Sequence, residues 1–243
     1  MAIKKTYYYA IDTSALDRFG FITPEGYQRI VLSTTEKELE RIQFSIAHLI
    51  KTLGVSWILL SLSVKVLKQI KPGQELSVAT WHTWRKGVLY RRDFEICDKE
   101  SGEPYAYATT FSSLFDVGKR RLCTSREIYE KITLEEGEEL FEAQSRSPVS
   151  GEFEFCEKIA VRPHWIDSLG HVNNFKYAQV VYDNLPPARW EESGRISRIE
   201  MFFTGELRYG DNVIVKRKVQ DSSVEIAGEH EDGKSAFLYK IHY

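Results

Sequence analysis

The same spacing of turn residues occurs twice along this chain. Asp17-x-x-Gly20 followed by Tyr27 returns as Asp167-x-x-Gly170 followed by Tyr177, and Pro72-Gly73-x-x-Leu76 is paralleled by Tyr209-Gly210-x-x-Val213. A duplication restricts the fold, because whatever architecture the first half adopts must also be open to the second. The 243 residues are enough for two such units, each of about 120 residues, a common domain size. The expected organisation is one domain over residues 1–120, a connection over 121–150 and a second domain over 151–243. The connection follows the basic Lys119-Arg-Arg121. It carries the acidic run Glu135-Glu-Gly-Glu-Glu139 and the turn-rich Ser145-Arg-Ser-Pro-Val-Ser150, with room for a short helix.

Each half reads as strand, polar loop, helix and then several strands. Tyr7–Ile11 predicts a strand, and Asp12 to Gly20 a polar loop. Thr23-Pro24 supplies an N-cap with proline at the first helical position. Leu39, Ile42, Ile46, Leu49 and Ile50 recur at helical spacing, which predicts one long helix running to Gly54. From Trp57 the period becomes two: Leu60, Leu62, Val64 and Val66 alternate with Ser61, Ser63 and Lys65, the pattern of a half-buried strand. Further strands are predicted at Glu75–Trp84, Gly87–Cys97 and Pro104–Asp116. In the second half a strand at Phe153–Val161 precedes a shorter helix ending near Asn184. Strands follow near Ile196–Arg208, Asn212–Gln220, Val224–His230 and Ala236–His242. One helix followed by long antiparallel strands, twice over, is an α+β arrangement in which a sheet wraps around a helix.

The copies differ where chemistry would be placed. In the stretch Asp167-Ser-Leu-Gly-His-Val-Asn-Asn-Phe-Lys-Tyr177 a carboxylate, a flexible glycine and an imidazole come together ahead of a helix start. In the first half His171 is matched by Phe21, and Asn173-Asn174 by Thr23-Pro24. Asn173 or Asn174 can cap the helix and leave first-turn N–H groups free to face a developing negative charge. Asp167, Gly170 and Asn173 are also ordinary turn and cap residues; His171 is not explained in that way. Among downstream carboxylates, Glu200, Glu206 and Asp211 are all candidates to join it.

The pattern Asp-x-x-Gly-His-Val-Asn-Asn followed by a tyrosine resembles the active-site loop of hotdog-fold thioesterases. Its continuation resembles the acyl-acyl-carrier-protein (acyl-ACP) thioesterases, both the plant enzymes and their bacterial relatives. Gly54-Val-Ser-Trp57, Thr80-Trp81, Arg91-Arg-Asp-Phe94 and Asp116 followed by Arg120-Arg121 carry the likeness in order through the first half. The resemblance implies a tandem double hotdog, two antiparallel sheets each wrapped around a long helix. It implies hydrolysis of fatty acyl-ACP with release of free fatty acid in fatty-acid biosynthesis, with no cofactor and no metal. Asp167, His171 and Glu206 are the catalytic residues it implies. Val172, Asn173, Asn174, Tyr177 and Trp57 would bind substrate, and Arg91, Arg92, Arg120 and Arg121 would dock the acidic carrier. The first half would line the acyl pocket. Leu169 stands where the family has an asparagine two positions before the histidine. The same residues leave open an acyl-coenzyme A thioesterase, a non-catalytic acyl-binding protein and a hotdog hydratase; no Gly-x-Ser-x-Gly elbow supports a serine hydrolase.

Charge and composition exclude other classes. A net charge of −2 lacks the basic excess of a nucleic-acid binder. No secretory segment follows Met1, and no apolar run approaches the ~18 residues of a membrane span, so a soluble cytoplasmic protein is expected. Cys97, Cys123 and Cys156 are odd in number and without metal-ligand spacing, as expected of reduced thiols. A homodimer is left open.

Overall fold

A computed structural model describes residues 4–167 and 169–243, and in it the two copies of the turn pattern adopt the same backbone. In each, a short 3-10 turn, Thr13–Ala15 or Pro163–Trp165, enters a bridge, Leu16 with Ile22 or Ile166 with Val172. The loops close with matching bonds. Asp17 N–H donates to Phe21 O at 2.8 Å, and Asp167 N–H to His171 O at 2.8 Å. Gly20 and Gly170 turn the chain at φ 81° and 83°, a left-handed conformation that glycine adopts without steric cost.

The strands pair antiparallel in one continuous sheet. The first half supplies β1 (Lys5–Ala10), β2 (Val55–Val66), β3 (Glu75–Lys86), β4 (Leu89–Asp98) and β5 (Pro104–Asp116), and β6 (Arg121–Leu122) pairs with β5. The second half supplies β7 (Glu154–Ala160), β8 (Arg198–Phe203), β9 (Asn212–Gln220), β10 (Ser223–Glu229) and β11 (Ser235–His242). The order is β1-β3-β4-β5-β2-β8-β11-β10-β9-β7, so the second half repeats the first in reverse. The seam is β2 against β8, with Ser61 opposite Phe202 and Ser63 opposite Glu200.

The helices are α1 (Pro24–Arg41), α2 (Ile46–Leu53), α3 (Arg126–Lys131) in the connection, α4 (Asn174–Asp183) and α5 (Pro187–Glu191). Thr23 caps α1 by accepting from Gly26 N–H at 3.0 Å. The single long helix expected up to Gly54 is in fact two. Gln43 sits at φ 60°, Phe44 N–H reaches Leu39 O at 2.8 Å and Gln43 N–H reaches Glu40 O at 3.1 Å. This is a Schellman C-terminus with glutamine where glycine is usual, which is why the apolar spacing does not reveal it. Helices α1 and α4 share one core: Tyr27 and Val31 join Tyr177, Val181, Phe94 and Tyr239. Tyr239 Oη donates to Gln28 Oε1 at 3.2 Å. Phe21 lies so close to Gly194 that a Cβ there would come within 2.5 Å of its ring.

Strand β2 is not half-buried as its alternation suggests. Ser61 and Ser63 are as buried as Leu62 and Val64, because the connection crosses the outer face of the sheet as a strap. Gly137 N–H donates to Thr83 O at 3.0 Å, Trp81 Nε1 to Glu138 O at 2.9 Å, Arg198 Nη2 to Glu142 O at 2.9 Å and Ser61 Oγ to Gln144 O at 2.8 Å. No helix among the described residues is long and apolar enough to cross a membrane.

Candidate active site

The loop before α4 fixes His171 through its backbone. Asp167 Oδ1 accepts the amides of Leu169 at 2.8 Å and His171 at 3.3 Å. Asp17 does the same for Phe19 and Phe21, both at 2.9 Å. Asp167 therefore holds the turn, as its counterpart does in the half without the histidine. Of the two asparagines it is Asn173 that caps α4, accepting from Phe175 N–H at 3.0 Å. Asn174 occupies the first helical position, where an amide has no intrahelical acceptor and lies at the positive end of the helix dipole.

Glu206 was expected within a strand reaching Arg208, but β8 ends at Phe203 and Glu206 stands in the loop beyond it. That loop is stitched to the histidine segment. Val172 N–H donates to Leu207 O at 2.8 Å, and Leu207 N–H donates to Tyr177 Oη at 3.4 Å. Gly205 allows close approach to β11, since a Cβ there would lie 2.7 Å from Ser235 O. The result is a His171 Nε2 to Glu206 Oε2 distance of 2.9 Å, with side chains 20% and 40% exposed and so open to a ligand. Of the other carboxylates, Glu200 pairs with His242 at 3.0 Å, and Asp211 accepts from Arg208 N–H at 2.8 Å. Neither meets His171. Two guanidiniums also face Glu206 Oε2: Arg208 Nη2 at 3.2 Å, itself 3.4 Å from His171 Nε2, and Arg120 Nη2 at 3.5 Å. Both are half exposed, so water screens their attraction and their main effect is to orient the carboxylate. Arg208 was not a candidate from sequence; its only signal is its place two residues after Glu206.

A histidine–carboxylate pair beside a helix N-terminus, on a duplicated α+β frame, is suited to hydrolysing an acyl bond. Family models for the N-terminal and C-terminal domains of acyl-ACP thioesterases match residues 4–132 and 151–241. The chain belongs to the acyl-ACP thioesterase family. It is a thioester hydrolase acting on fatty acyl-ACP. The fold of this thioesterase is similar to that of an acyl-ACP thioesterase from Bacteroides thetaiotaomicron, at 21% identity and a TM-score of 0.86, with 98% of this chain and 97% of that chain covered. It is also similar to the 12:0-ACP thioesterase of Umbellularia californica, at 17% identity and a TM-score of 0.81, covering 98% of this chain and 96% of that one. No curated protein sequence matches the chain significantly.

The remaining candidates of this thioesterase fall into different places. Val172 and Tyr177 are buried in the core; Tyr177 stacks on Phe237 at 4.8 Å, and both hold the Glu206 loop rather than facing the open site. Leu169 is 47% exposed at the loop tip. Arg91 and Arg92 cannot dock a carrier, because both are buried. Arg91 pairs with Asp93 at 2.8 Å and with Glu139 of the strap at 2.7 Å, while Arg92 points inward from β4. The alternation of a central strand sends the two to opposite faces, and both faces are covered. Arg120 and Arg121 are exposed.

Trp57 sits at the N-terminal end of β2, its Nε1 donating to Phe44 O at 2.9 Å and its ring edge-on to Tyr90 at 4.9 Å. It lines a cleft of about 50 Å³ with Leu39, His82, Tyr90, Arg92 and Leu134. Two connections bring that end of β2 to the catalytic pair. Strand β8 runs antiparallel to β2 from Lys65 toward Ser61, so the loop carrying Glu206 continues toward the start of β2. Val117 N–H bonds Gly54 O at 3.1 Å, fixing the turn that carries Arg120 beside the same end.

Proposed function

We propose that hydrolysis takes place at the His171–Glu206 pair, with an activated water as nucleophile, and that it releases free fatty acid in fatty-acid biosynthesis in the cytoplasm. The observation that carries this reading is the 2.9 Å approach of His171 Nε2 to Glu206 Oε2 at the N-terminus of α4. His171 takes a proton from a water oriented by Glu206, and the resulting hydroxide adds to the thioester carbonyl. The oxyanion faces helix N-terminal amides, Asn174 among them, which are already oriented before charge develops. Collapse breaks the C–S bond, and the proton returns from His171 to the carrier thiolate. Asp167 takes part by holding the loop.

In this reading the fold is a tandem double hotdog, with units over 1–120 and 151–243 joined by 121–150; the mirrored strand order and shared core support it. The first unit then supplies the face that a partner chain would otherwise bring, together with the acyl pocket at Trp57. The carrier docks near Arg120 and Arg121, beside the site. The test is turnover of acyl-ACP by His171→Ala and Glu206→Gln, each expected to lose roughly 10²–10⁴-fold with an unchanged circular dichroism spectrum. Near wild-type turnover in either variant would remove that residue from the mechanism. Apparent carrier affinity should weaken as salt rises, and salt-independent use of the carrier would refute docking at these arginines.

A further inference from the structure

The cleft beside Trp57 has a lining unlike that of a plain hydrocarbon pocket. Its inner wall carries His82, Arg92, Thr110 and Ser112 from neighbouring strands, with Thr35 facing them from α1. Arg92 is only 8% exposed, yet among the described residues it has no ion pair within 4.0 Å and a single long hydrogen bond, Nη1 to Thr80 Oγ1 at 3.4 Å. Glu38, the acid whose charge acts on Arg92, is already engaged by Arg41 at 2.7 Å and by Tyr7 Oη at 2.8 Å. Arg92 thus has no carboxylate partner among the described residues and keeps unused donors in the cleft. Tyr90 Oη, in the same wall, is buried without a hydrogen-bond partner among the described residues. Burial pushes Arg92 down to about 10 and His82 down to about 4, so His82 is neutral at pH 7; of the two arginines lining the cleft, Arg91 is paired with Asp93 and Glu139, while Arg92 has no ion pair among the described residues.

A buried hydroxyl without a partner, such as Tyr90 Oη, and a desolvated guanidinium without a carboxylate, such as Arg92, are costly and uncommon in folded chains. They become favourable when a ligand brings the missing acceptor, and a guanidinium is matched best by a carboxylate, hydroxyl or carbonyl oxygen. Trp57 lines the cleft at the end of β2 toward which the Glu206 loop runs, so a chain whose thioester lies at His171 would send its far end toward Arg92. We propose that Arg92 is a specificity determinant and that the preferred substrates are acyl-ACPs whose chain carries an oxygen function at its distal end. The proposal rests on the thioesterase reading and deepens it. Leu39, Leu134 and Trp57 supply the apolar part of the lining against which the methylenes before the oxygen would pack.

The experiment compares length-matched acyl-ACPs with a plain methyl end, a terminal hydroxyl or a terminal carboxylate. Either oxygenated substrate should exceed the plain one in kcat/KM by roughly 10- to 100-fold, the range of a hydrogen bond to a charged group. Preference for the carboxylate indicates charge pairing, and preference for the hydroxyl indicates hydrogen bonding alone. Arg92→Met should abolish the preference, lowering kcat/KM for the oxygenated substrates by roughly 10- to 100-fold more than for the plain one. Equal or better use of the plain chain by the wild type would overturn the proposal. Calorimetry with the corresponding non-hydrolysable pantetheine amides reads the same preference as affinity on wild-type protein. A preference kept there without turnover of any thioester would overturn the thioesterase reading alone, and no preference in either measurement would overturn this one. If Arg92→Met fails to fold, the wild-type comparison still decides.

Discussion

Arg91 gives the sharpest contrast between a charge read as surface and a charge found inside. Its guanidinium binds Asp93 through Nε at 2.8 Å and Nη2 at 3.0 Å, Glu139 at 2.7 Å and the strap carbonyl of Phe141 at 2.6 Å. Asp93 is fully buried, and Thr109 Oγ1, at 2.6 Å, and Thr83 Oγ1 both donate to it. In Arg91→Ala, Asp93 would keep only those two hydroxyl donors. Removing one partner of a buried pair costs about 3–5 kcal/mol. Melting temperature moves by about 2–4 °C per kcal/mol in chains of this size, so a fall of roughly 6–20 °C is expected. Urea unfolding and calorimetry measure it, while the salt dependence of carrier use should stay as in the wild type. The exposed Arg121→Ala should do the reverse, with stability within about 0.5 kcal/mol and weaker carrier affinity. An Arg91→Ala protein within about 1 kcal/mol of wild type would refute the buried-network account, as would one that is stable but loses carrier affinity in a salt-dependent way.

The paired aspartates provide a second test: Asp167→Asn and Asp17→Asn each keep an oxygen that accepts the turn amides, so each should cost at most the ~0.5–2 kcal/mol of a lost cap. A turnover loss at Asp167 as large as that at His171 would show that its charge is needed in the reaction. His82, held near 4 by burial and by Arg92 and Arg85, is neutral in the folded state where the unfolded chain is protonated. Stability is therefore full above about pH 6.5 and falls by about 3 kcal/mol in total as pH drops to about 4; His82→Gln should remove that part of the slope, and parallel pH profiles for the two proteins would contradict it. Gln43→Gly relieves a positive φ at the end of α1 and should stabilise by about 0.5–1 kcal/mol in urea unfolding; a loss would mean that the glutamine side chain holds the bend.

The periodic parts of the fold were readable because burial on one face leaves a mark in the sequence. The strands of both halves, the α4 boundary and the repeat were found in this way, and His171 stood out as the polar exception between copies. Most of what failed shares a cause: contacts made by a segment far away in sequence. Ser61 and Ser63 alternate like solvent-facing residues, yet the strap covers them, and the same cover turns Arg91 from a surface charge into a buried one. Arg92 faces the other way, into a cleft visible only once α1 and β4 are placed. The contact of Arg120 with Glu206 joins residues from different halves, and no local spacing encodes it. Gln43 hid the break between α1 and α2 because its left-handed conformation lacks the usual glycine.

In an assembly of two identical chains, every substitution appears at both mouths. A residue that improves one must then be tolerated by the other. Here the counterpart of His171 is Phe21, whose ring presses against Gly194 in the opposite half. Only a fused polypeptide lets an imidazole at one end and an aromatic buttress at the other be selected separately. Gly194 records the cost of that freedom: any larger side chain there would push against Phe21, so a position remote from the thioester becomes as restricted as one beside it.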